Sequence, residues 1–200
     1  MIVLDIETTG NNPEKHEIIN IGAVDFLSPS NKFYLDLRVE GPIENDEPAA
    51  FKVNGYNSYV IREPSRKIPE KAIREFLAWK DTIRDTTLAG NNISTFDILF
   101  LRKLAVKHKL EAHFGHRTVD LHSLCYSCHL KNGIPVPLKD GRTNIDSDYI
   151  MCFVGLPEEP KPHKSGLVGA IYEAEAFSRL IYGKPLFQEF EEFKIPKHLL

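Results

Sequence analysis

Cysteine is scarce in this sequence, and long apolar runs are missing from it. Three of its 200 residues are cysteines, an odd and low count that argues against a disulfide framework and indicates a reduced, intracellular protein. No apolar run approaches the roughly 18 residues of a membrane-spanning helix. The opening residues MIVLDIE lack the basic region and the cleavage site of a secretory signal. We therefore expect a cytoplasmic protein without a membrane segment.

An excess of positive charge is also absent. The chain has 25 Lys and Arg residues against 28 Asp and Glu residues, which gives a net charge of −3. Proteins that coat long duplex DNA are usually basic, because contacts with phosphates supply most of the affinity. The composition therefore argues against that role. It is compatible with a small site that grips one strand end, particularly if metal ions supply the positive charge.

The residues that are present indicate one globular domain. Hydrophobic residues make up 42% of the chain and charged residues 26%, a balance that allows a core without disulfides. Apolar and β-branched runs predict strands at residues 2–6, 18–26, 32–39 and 86–90. Apolar periodicity predicts helices at residues 69–80, 97–109, 119–130, 145–155 and 166–182. Strands followed by alternating strands and helices predict an α/β fold with a mixed sheet.

Two further segments are predicted to lie outside this framework. The acidic, proline-containing stretch GPIENDEP at residues 41–48 is typical of a loop. The C-terminal residues 186–200 repeat Phe187, Phe190 and Phe193 among acids. This spacing predicts a short amphipathic helix that docks either on the domain, which we favour, or on a protein partner such as a polymerase.

The CYSCH stretch at residues 125–129 matches the attachment pattern of c-type haem. Cys125 and Cys128 nevertheless fall on the same helical stripe as Leu121 and Leu124, which predicts that they are core residues. The nearby histidines do not share one helix face with them, and no second cysteine pair follows, so a zinc site is disfavoured as well. We expect neither haem nor structural zinc.

Two carboxylates stand out in the first predicted strand, LDIETTG. Asp5 and Glu7 are two residues apart, so both side chains point to the same face of the sheet. Adjacent carboxylates on an apolar strand repel each other and resist burial unless a cation compensates them. Hard divalent ions such as Mg²⁺ and Mn²⁺ prefer such oxygen ligands. The strand therefore predicts a metal site, and the alternative of a solvated edge strand is disfavoured because its other residues are apolar.

These residues resemble a known family, the DnaQ-like or DEDD 3′→5′ exonucleases. LDIETTG followed by EIINIGAVDF is similar to the first motif of that family, and AGNNISTFDILFLRKLA at residues 89–105 resembles the second. RTVDLHSL at 117–124 resembles the segment before the third motif, and FKVNGYN at 51–57 resembles the substrate-side loop. The resemblance covers residues 1–183 and leaves 184–200 as a tail. It implies a ribonuclease H-like fold with a mixed five-stranded central sheet flanked by helices.

The resemblance also implies a reaction. Two divalent ions, Mg²⁺ or Mn²⁺, would be held by Asp5, Glu7 and Asp97 and would clamp the scissile phosphate. Similarity to the branch of the family that uses a histidine assigns His163 as the base that takes a proton from the attacking water. The implied substrate is the 3′ end of single-stranded DNA or RNA, which is released as nucleoside monophosphates.

Five further residues are expected to contact the substrate. The TTG turn of the first motif places Thr8 and Thr9 beside the terminal nucleotide, and Asn54 belongs to the substrate-side loop. Asn92 and Phe96 belong to the second motif. An aromatic ring such as that of Phe96 can stack on any base, although Phe96 suits a core position equally well.

The fourth carboxylate of the family is missing from its expected position. The third motif is His, four residues and then Asp on a helix, but counting from His163 places Val168 there, and aligning on the helix places Gly169 there. Glu173 lies about 40° around the helix from Gly169 and one turn further along. We expect Glu173 to reach back over Gly169, into open space beside His163, and to complete the set of metal ligands. The alternatives are that Glu173 is a solvated surface acid and that the chain is a binding module with weakened or lost catalysis.

Overall fold

The computed structural model describes residues 1–43 and 47–200. Residues 44–46, in the predicted acidic loop at 41–48, lie outside the described residues. The central sheet has five strands, which are β1 (Ile2–Thr8), β2 (Ile18–Asp25), β3 (Lys32–Asp36), β4 (Leu88–Gly90) and β5 (Val119–Asp120). Their order is β3-β2-β1-β4-β5, with β1 in the middle. Since β1 is antiparallel to β2 and parallel to β4, the predicted mixed five-stranded sheet is confirmed.

Six α-helices surround this sheet in the part of the chain that the structure describes. They are α1 (Glu47–Asn54), α2 (Pro69–Lys80), α3 (Asp97–Lys107), α4 (Leu121–Lys131), α5 (Ser147–Phe153) and α6 (Gly166–Tyr182). A small hairpin of β6 (Leu138–Lys139) and β7 (Arg142–Thr143) lies between α4 and α5. None of the described helices is long and apolar enough to cross a membrane.

The two faces of the sheet carry separate cores, because residues alternate between faces along each strand. Ile2, Leu4 and Ile6 of β1 pack in the core that contains α2 and α3. Val3 packs on the opposite face, in the core that contains α4, α5 and α6. Asp5 and Glu7 follow Val3 at intervals of two residues, so this alternation directs them toward the α6 side.

The cysteines of the CYSCH stretch lie on α4. Cys125 is fully buried in the α6-side core, as its apolar stripe predicts. His129 lies between the Pro135 carbonyl oxygen and the Tyr149 hydroxyl, each 3.0 Å from a ring nitrogen. Cys125 and His129 therefore pack inside the domain as parts of α4.

The C-terminal segment differs from its predicted helix. Residues 184–200 contain two short 3₁₀ helices, Gln188–Phe190 and Lys197–Leu199, in place of one amphipathic α-helix. Phe187 and Phe190 are buried in the α6-side core, and Phe193 packs partly against it. The aromatic repeat therefore contacts this domain through separate turns, since prolines and charged residues interrupt a regular helix.

Candidate active site

The first turn of α6 crosses the sheet directly over Asp5. Asp5 is paired in register with Gly22 of β2, and a Cβ atom on Gly22 would lie 1.9 Å from the Leu167 backbone nitrogen. On the helix itself, a Cβ on Gly166 would lie 2.3 Å from the Asp5 carbonyl oxygen. The glycines that weaken the start of α6 therefore allow helix and strand backbones to meet.

Gly169 makes the same close approach to the Asp5 side chain. A Cβ atom at this position would lie 2.1 Å from Asp5 Oδ2. The predicted open space over Gly169 is therefore wrong, because the Asp5 carboxylate already fills it. A side chain at Gly169, one of the two positions expected for the family's fourth acid, would displace Asp5.

Glu173 reaches the same region by another route. Its carboxylate accepts hydrogen bonds from the Asn91 backbone N–H, at 3.3 Å to Oε1 and 3.2 Å to Oε2. Its side chain is turned toward the end of β4, where Oε2 lies 3.3 Å from the place of a Cβ on Gly90. Glu173 is only 7% exposed, so the alternative of a solvated surface acid is wrong.

Asp97 is the first residue of α3 and is held against β1. Its Oδ1 accepts a hydrogen bond of 3.1 Å from the Ile6 backbone N–H, and the residue is 3% exposed. A carboxylate in the first turn of a helix is also favoured by the helix dipole. The contact places Asp97 beside the strand that carries Asp5 and Glu7.

These acids share one cavity of about 510 Å³. It lies between the end of β1, the end of α1, the start of α3 and the first turns of α6. The acidic and basic side chains that line it are Asp5, Glu7, Asp97, Glu159, His163 and Glu173. The structure thus brings together the five predicted catalytic residues and adds Glu159, which the sequence did not single out.

Glu159 and His163 form a pair in the loop before α6. His163 Nδ1 lies 3.4 Å from Glu159 Oε1. The His163 backbone N–H donates to the Val53 carbonyl at 3.1 Å, which ties the loop to the end of α1. Asn20 secures the next residues, since its side chain donates to the Lys164 carbonyl and accepts from the Gly166 N–H.

The carboxylates raise one another's pKa values. Burial raises the pKa of Asp5 well above its usual range, and the charge of Glu173 and then that of Glu7 add to the effect. Burial followed by the charges of Glu159 and Asp97 raises the pKa of Glu7 to about 8, against a hydrogen bond from Asn54 that lowers it. Such a group of acids binds a proton or a cation more readily than separate carboxylates do.

The other two predicted ligands also have raised pKa values. Burial raises the pKa of Asp97 to about 7, although backbone N–H groups, including that of Ile6, act in the opposite direction. Burial and the nearby charges of Asp97 and Glu159 raise the pKa of Glu173, while the N–H of Asn91 lowers it. The cost of burying four acids together is the physical signal of a cation-binding site.

The predicted substrate residues divide into two groups. Thr8, Asn54, Asn92 and Phe96 line the cavity. Thr9 is buried outside the set of lining residues, where its hydroxyl accepts a hydrogen bond from the Glu17 N–H at 3.1 Å. Asn54 also donates to the Thr8 carbonyl at 3.0 Å, so it fixes the end of β1 as well as facing the cavity.

The chemical type of the predicted ligand atoms suits hard divalent cations. All four predicted ligands offer carboxylate oxygens, which Mg²⁺ and Mn²⁺ prefer. Across residues 1–43 and 47–200, no three His, Cys, Asp or Glu side chains are already arranged to hold a metal ion.

Comparison with solved structures gives the same fold. E. coli Exonuclease I in complex with a dT13 oligonucleotide matches with a TM-score of 0.68 and 15% identity, over 89% of this chain and 40% of that one. Its zinc-bound complex with single-stranded DNA matches with a TM-score of 0.72 and 13% identity, over 91% of this chain and 40% of that one. The chain thus spans about 40% of the length of Exonuclease I.

A second kind of relative has almost the same extent as this chain. The nuclease domain of 3′hExo, a DEDDh family member bound to rAMP, matches with a TM-score of 0.66 and 17% identity, over 98% of this chain and 95% of that domain. No curated protein sequence matches this chain. Identities this low establish the shared fold alone, and the ribonuclease H-like architecture implied by the resemblance is confirmed.

The sequence also matches a model of a known protein family. The model RNase_T, described as an exonuclease, matches residues 2–135. That range contains β1 to β5, with Asp5, Glu7 and Asp97, and ends before the loop and helix that carry His163 and Glu173. Because the model matches more than half of the chain, and because the fold and the grouped carboxylates agree with it, this protein belongs to the RNase_T family of DnaQ-like exonucleases.

Proposed function

We propose that this protein is a metal-dependent 3′→5′ exonuclease that hydrolyses single-stranded nucleic-acid ends to nucleoside monophosphates. The observation that carries the proposal is the group of four acids, Asp5, Glu7, Asp97 and Glu173, on the wall of one cavity. The family supports nuclease chemistry, and the 3′→5′ polarity follows from the DnaQ-like resemblance. We assign the activity to the inside of the cell, as the low cysteine count predicts.

The four acids are the residues that would hold Mg²⁺ or Mn²⁺. Two such ions supply, when bound, an activated water and a charge that stabilises the leaving 3′-oxygen. The Ile6 and Asn91 backbone N–H groups orient Asp97 and Glu173. The zinc-bound Exonuclease I complex supports a divalent-ion site in this fold.

His163 acts as the base in this proposal. Its imidazole lines the same cavity as the acids, and its side chain is 19% exposed. It takes the proton from the attacking water and releases it to solvent through its exposed edge. The hydrogen bond between the His163 backbone N–H and the Val53 carbonyl holds the main chain of this residue beside the end of α1.

The substrate end enters beside Thr8, Asn54, Asn92 and Phe96. Amide and hydroxyl groups can contact the sugar and phosphate, and the Phe96 ring can stack on the terminal base without regard to sequence. Thr9 stabilises the turn after β1 through the hydrogen bond that its hydroxyl accepts from the Glu17 N–H. The complexes of Exonuclease I with dT13 and of 3′hExo with rAMP support single-stranded DNA and RNA as the two substrate classes to compare.

A binding module with lost catalysis is the second candidate, since neither Val168 nor Gly169, the two positions expected for the family's fourth acid, carries a carboxylate. A single assay separates the two. We expect the wild-type chain with Mg²⁺ or Mn²⁺ to convert a 5′-labelled single strand into a ladder of shorter products, and Asp5→Asn to lower the rate by at least about 10³-fold. The assay is run on matched DNA and RNA strands.

The controls for this assay are EDTA and a 3′-labelled strand. EDTA stops the ladder if the reaction needs the metal, and the 3′ label appears at once as a mononucleotide if digestion starts at the 3′ end. Binding of the strand without any degradation by the wild-type chain would contradict the enzyme and support the module.

Gly169→Ala tests the close approach of α6 to the site. The added Cβ meets the Asp5 carboxylate, which is the end of a side chain and can rotate away. We expect the nuclease rate to fall about 10²-fold, because displacement of a catalytic group by about 1 Å has an effect of this size. The midpoint of thermal unfolding should change little.

Gly22→Ala is the matched comparison. Its Cβ meets the α6 backbone, which cannot rotate away, so we expect a loss of about 1–3 kcal/mol in the free energy of unfolding. Differential scanning fluorimetry and the strand assay are measured on both variants. Equal activity of Gly169→Ala and the wild-type protein would show that Asp5 does not need its present position.

A further inference from the structure

We infer that Glu159 is a positioning residue that fixes the ring orientation and tautomer of His163. This inference rests on the proposed function of His163 as the base. Glu159 lies between α5 and α6, in a loop that the family model does not reach. Its carboxylate accepts a hydrogen bond from the Nδ1–H group of His163, which leaves Nε2 unprotonated and able to take the proton from water.

The first support for this role is the contrast between two adjacent acids. Glu158 is exposed and pairs at 3.0 Å with Lys161, which is also exposed. Glu159 is 7% exposed and faces His163 Nδ1 at 3.4 Å. A buried carboxylate is costly unless a partner compensates it, and the His163 imidazole is a group of suitable chemistry in contact with it.

The second support is the way His163 is held. The hydrogen bond to the Val53 carbonyl fixes its main chain, but it does not determine the rotation of the imidazole ring. A neutral imidazole carries its proton on one of two nitrogens, and the hydrogen bond made by one nitrogen selects the state of the other. A carboxylate on Nδ1 therefore produces the tautomer whose Nε2 is a free acceptor.

The third support separates Glu159 from the four proposed metal ligands. The neighbours that act on Asp5 and Glu173 include several other acids, and these raise their pKa values. Glu159 is one of those acids, and burial raises its own pKa as well, but the first charged neighbour that acts on it is His163, which lowers the pKa. The carboxylate is thus paired with an imidazole, as in other sites where an acid orients a catalytic histidine.

The test compares Glu159→Leu and Glu159→Gln with Glu158→Gln as the matched surface control. We expect Glu159→Leu to lower kcat about 10–100-fold with little change in KM, the range found when an orienting partner is removed. Glu159→Gln keeps an acceptor for the Nδ1 proton and should recover most of that loss. Glu158→Gln should behave as the wild-type protein.

Two measurements do not depend on turnover. The ¹⁵N chemical shifts of His163 in the metal-free protein report its tautomer, and we expect the Nδ1–H form in the wild-type protein and its loss in Glu159→Leu. Calorimetry with Mn²⁺ should show a smaller loss of affinity for Glu159→Leu, which removes one neighbouring charge, than for Glu173→Gln, which removes a proposed ligand. Circular dichroism confirms that each variant is folded.

The outcomes distinguish this inference from the proposed function. An unchanged His163 tautomer in Glu159→Leu overturns the positioning role, whatever the activity. A loss of Mn²⁺ affinity in Glu159→Leu equal to that of Glu173→Gln also overturns it, because Glu159 would then be a metal ligand. A wild-type chain that shows the Glu159-dependent tautomer but degrades no strand supports the contact and contradicts the nuclease.

Discussion

Replacing Arg179 by methionine is expected to lower the free energy of unfolding by about 3–5 kcal/mol, because the change leaves a buried carboxylate without its partner. Arg179 is fully buried and its Nε donates to Glu175 Oε1 at 2.7 Å. The same guanidinium donates to the carbonyls of Val154, Gly155 and Phe190. One side chain therefore joins α6, the end of α5 and the C-terminal segment.

Glu175 completes this connection. Its Oε2 accepts hydrogen bonds from the backbone N–H groups of Leu186 and Phe187, at 2.7 and 3.1 Å. Loss of the guanidinium thus leaves one charge and several carbonyl groups without compensation inside the core. For a domain of this size we expect the midpoint of thermal unfolding to fall by about 6–20 °C.

A surface pair provides the control. Arg74 and Glu70 on α2 have the same four-residue spacing as Arg179 and Glu175 and a distance of 2.9 Å, but both are exposed. Arg74→Met should cost less than about 1 kcal/mol. A similar small effect of Arg179→Met would contradict the structural role of the buried pair.

The pair of Glu175 and Arg179 also attaches the C-terminal segment to the domain. Phe187 and Phe190 are buried against the domain, and the pair of Glu175 and Arg179 holds the backbone beside them. A protein partner could use these aromatic rings only after displacing the segment. We therefore propose that residues 184–200 are part of the domain, which limited proteolysis of the wild-type chain and of Arg179→Met can test.

Periodicity is sufficient to predict the long helices of this chain. α2 and α6 span the predicted residues because their ends carry local signals, a proline at the start of α2 and Gly183 in the left-handed conformation after α6. The first three strands are similarly evident from apolar and β-branched runs. Local sequence determines these elements, so no knowledge of distant contacts is needed.

The short elements cannot be predicted from local sequence in this way, because contacts with distant residues determine where they form. The end of α1 is held by Asn54, which donates to the Thr8 carbonyl. The strands of the β6–β7 hairpin have two residues each, too few for a periodic pattern. The C-terminal turns depend on Glu175 and Arg179, which lie on α6.

The candidate site divides in the same way. Asp5 and Glu7 are predictable because their spacing on a strand carries chemical meaning, and the resemblance adds Asp97 and His163. Glu159 cannot be predicted from the sequence, because it follows an acid of the same type in an irregular loop. Only packing distinguishes the buried Glu159 from the exposed Glu158.

The glycines at the start of α6 carry an ambiguous signal. A glycine can mark open space or a close approach of two backbones, and the sequence of α6 alone does not say which. Gly22 on β2 resolves the question, because it is paired with Asp5 and lies against the same turn of the helix. Three glycines at one crossing indicate contact, and Glu173 instead enters the cavity beside the end of β4, at the Asn91 N–H.

Removing divalent ions should make the stability of this protein strongly dependent on pH. Burial and neighbouring acids raise the pKa of Glu7 from 4.5 to about 8, and burial raises that of Asp97 from 3.8 to about 7. A carboxyl whose pKa is higher in the folded than in the unfolded chain adds stability at low pH, and this is lost as the pH rises through the folded value. The metal-free protein should therefore become less stable between about pH 5 and about pH 8.

The expected size follows from the pKa shifts. One unit corresponds to about 1.4 kcal/mol, so each of these two carboxyls accounts for a loss of about 3–5 kcal/mol, or roughly 6–20 °C in the midpoint of thermal unfolding. Carboxyls with lowered pKa values, such as those of Glu17 and Asp85, act at lower pH and do not oppose this change. Excess Mn²⁺ should abolish the decline, because a bound cation stabilises the charged acids.

Variants at the site identify the groups responsible. Asp97→Asn and Glu7→Gln remove one titrating carboxyl each, so each should flatten the decline in the metal-free protein and reduce the gain from Mn²⁺. Glu158→Gln, a change at an exposed acid, should leave both unchanged. Thermal unfolding measured in EDTA and in Mn²⁺ across this pH range gives the comparison. Metal-free stability that is constant or rises toward about pH 8 would contradict the electrostatic account of the site, since buried carboxylates without a cation must resist ionisation.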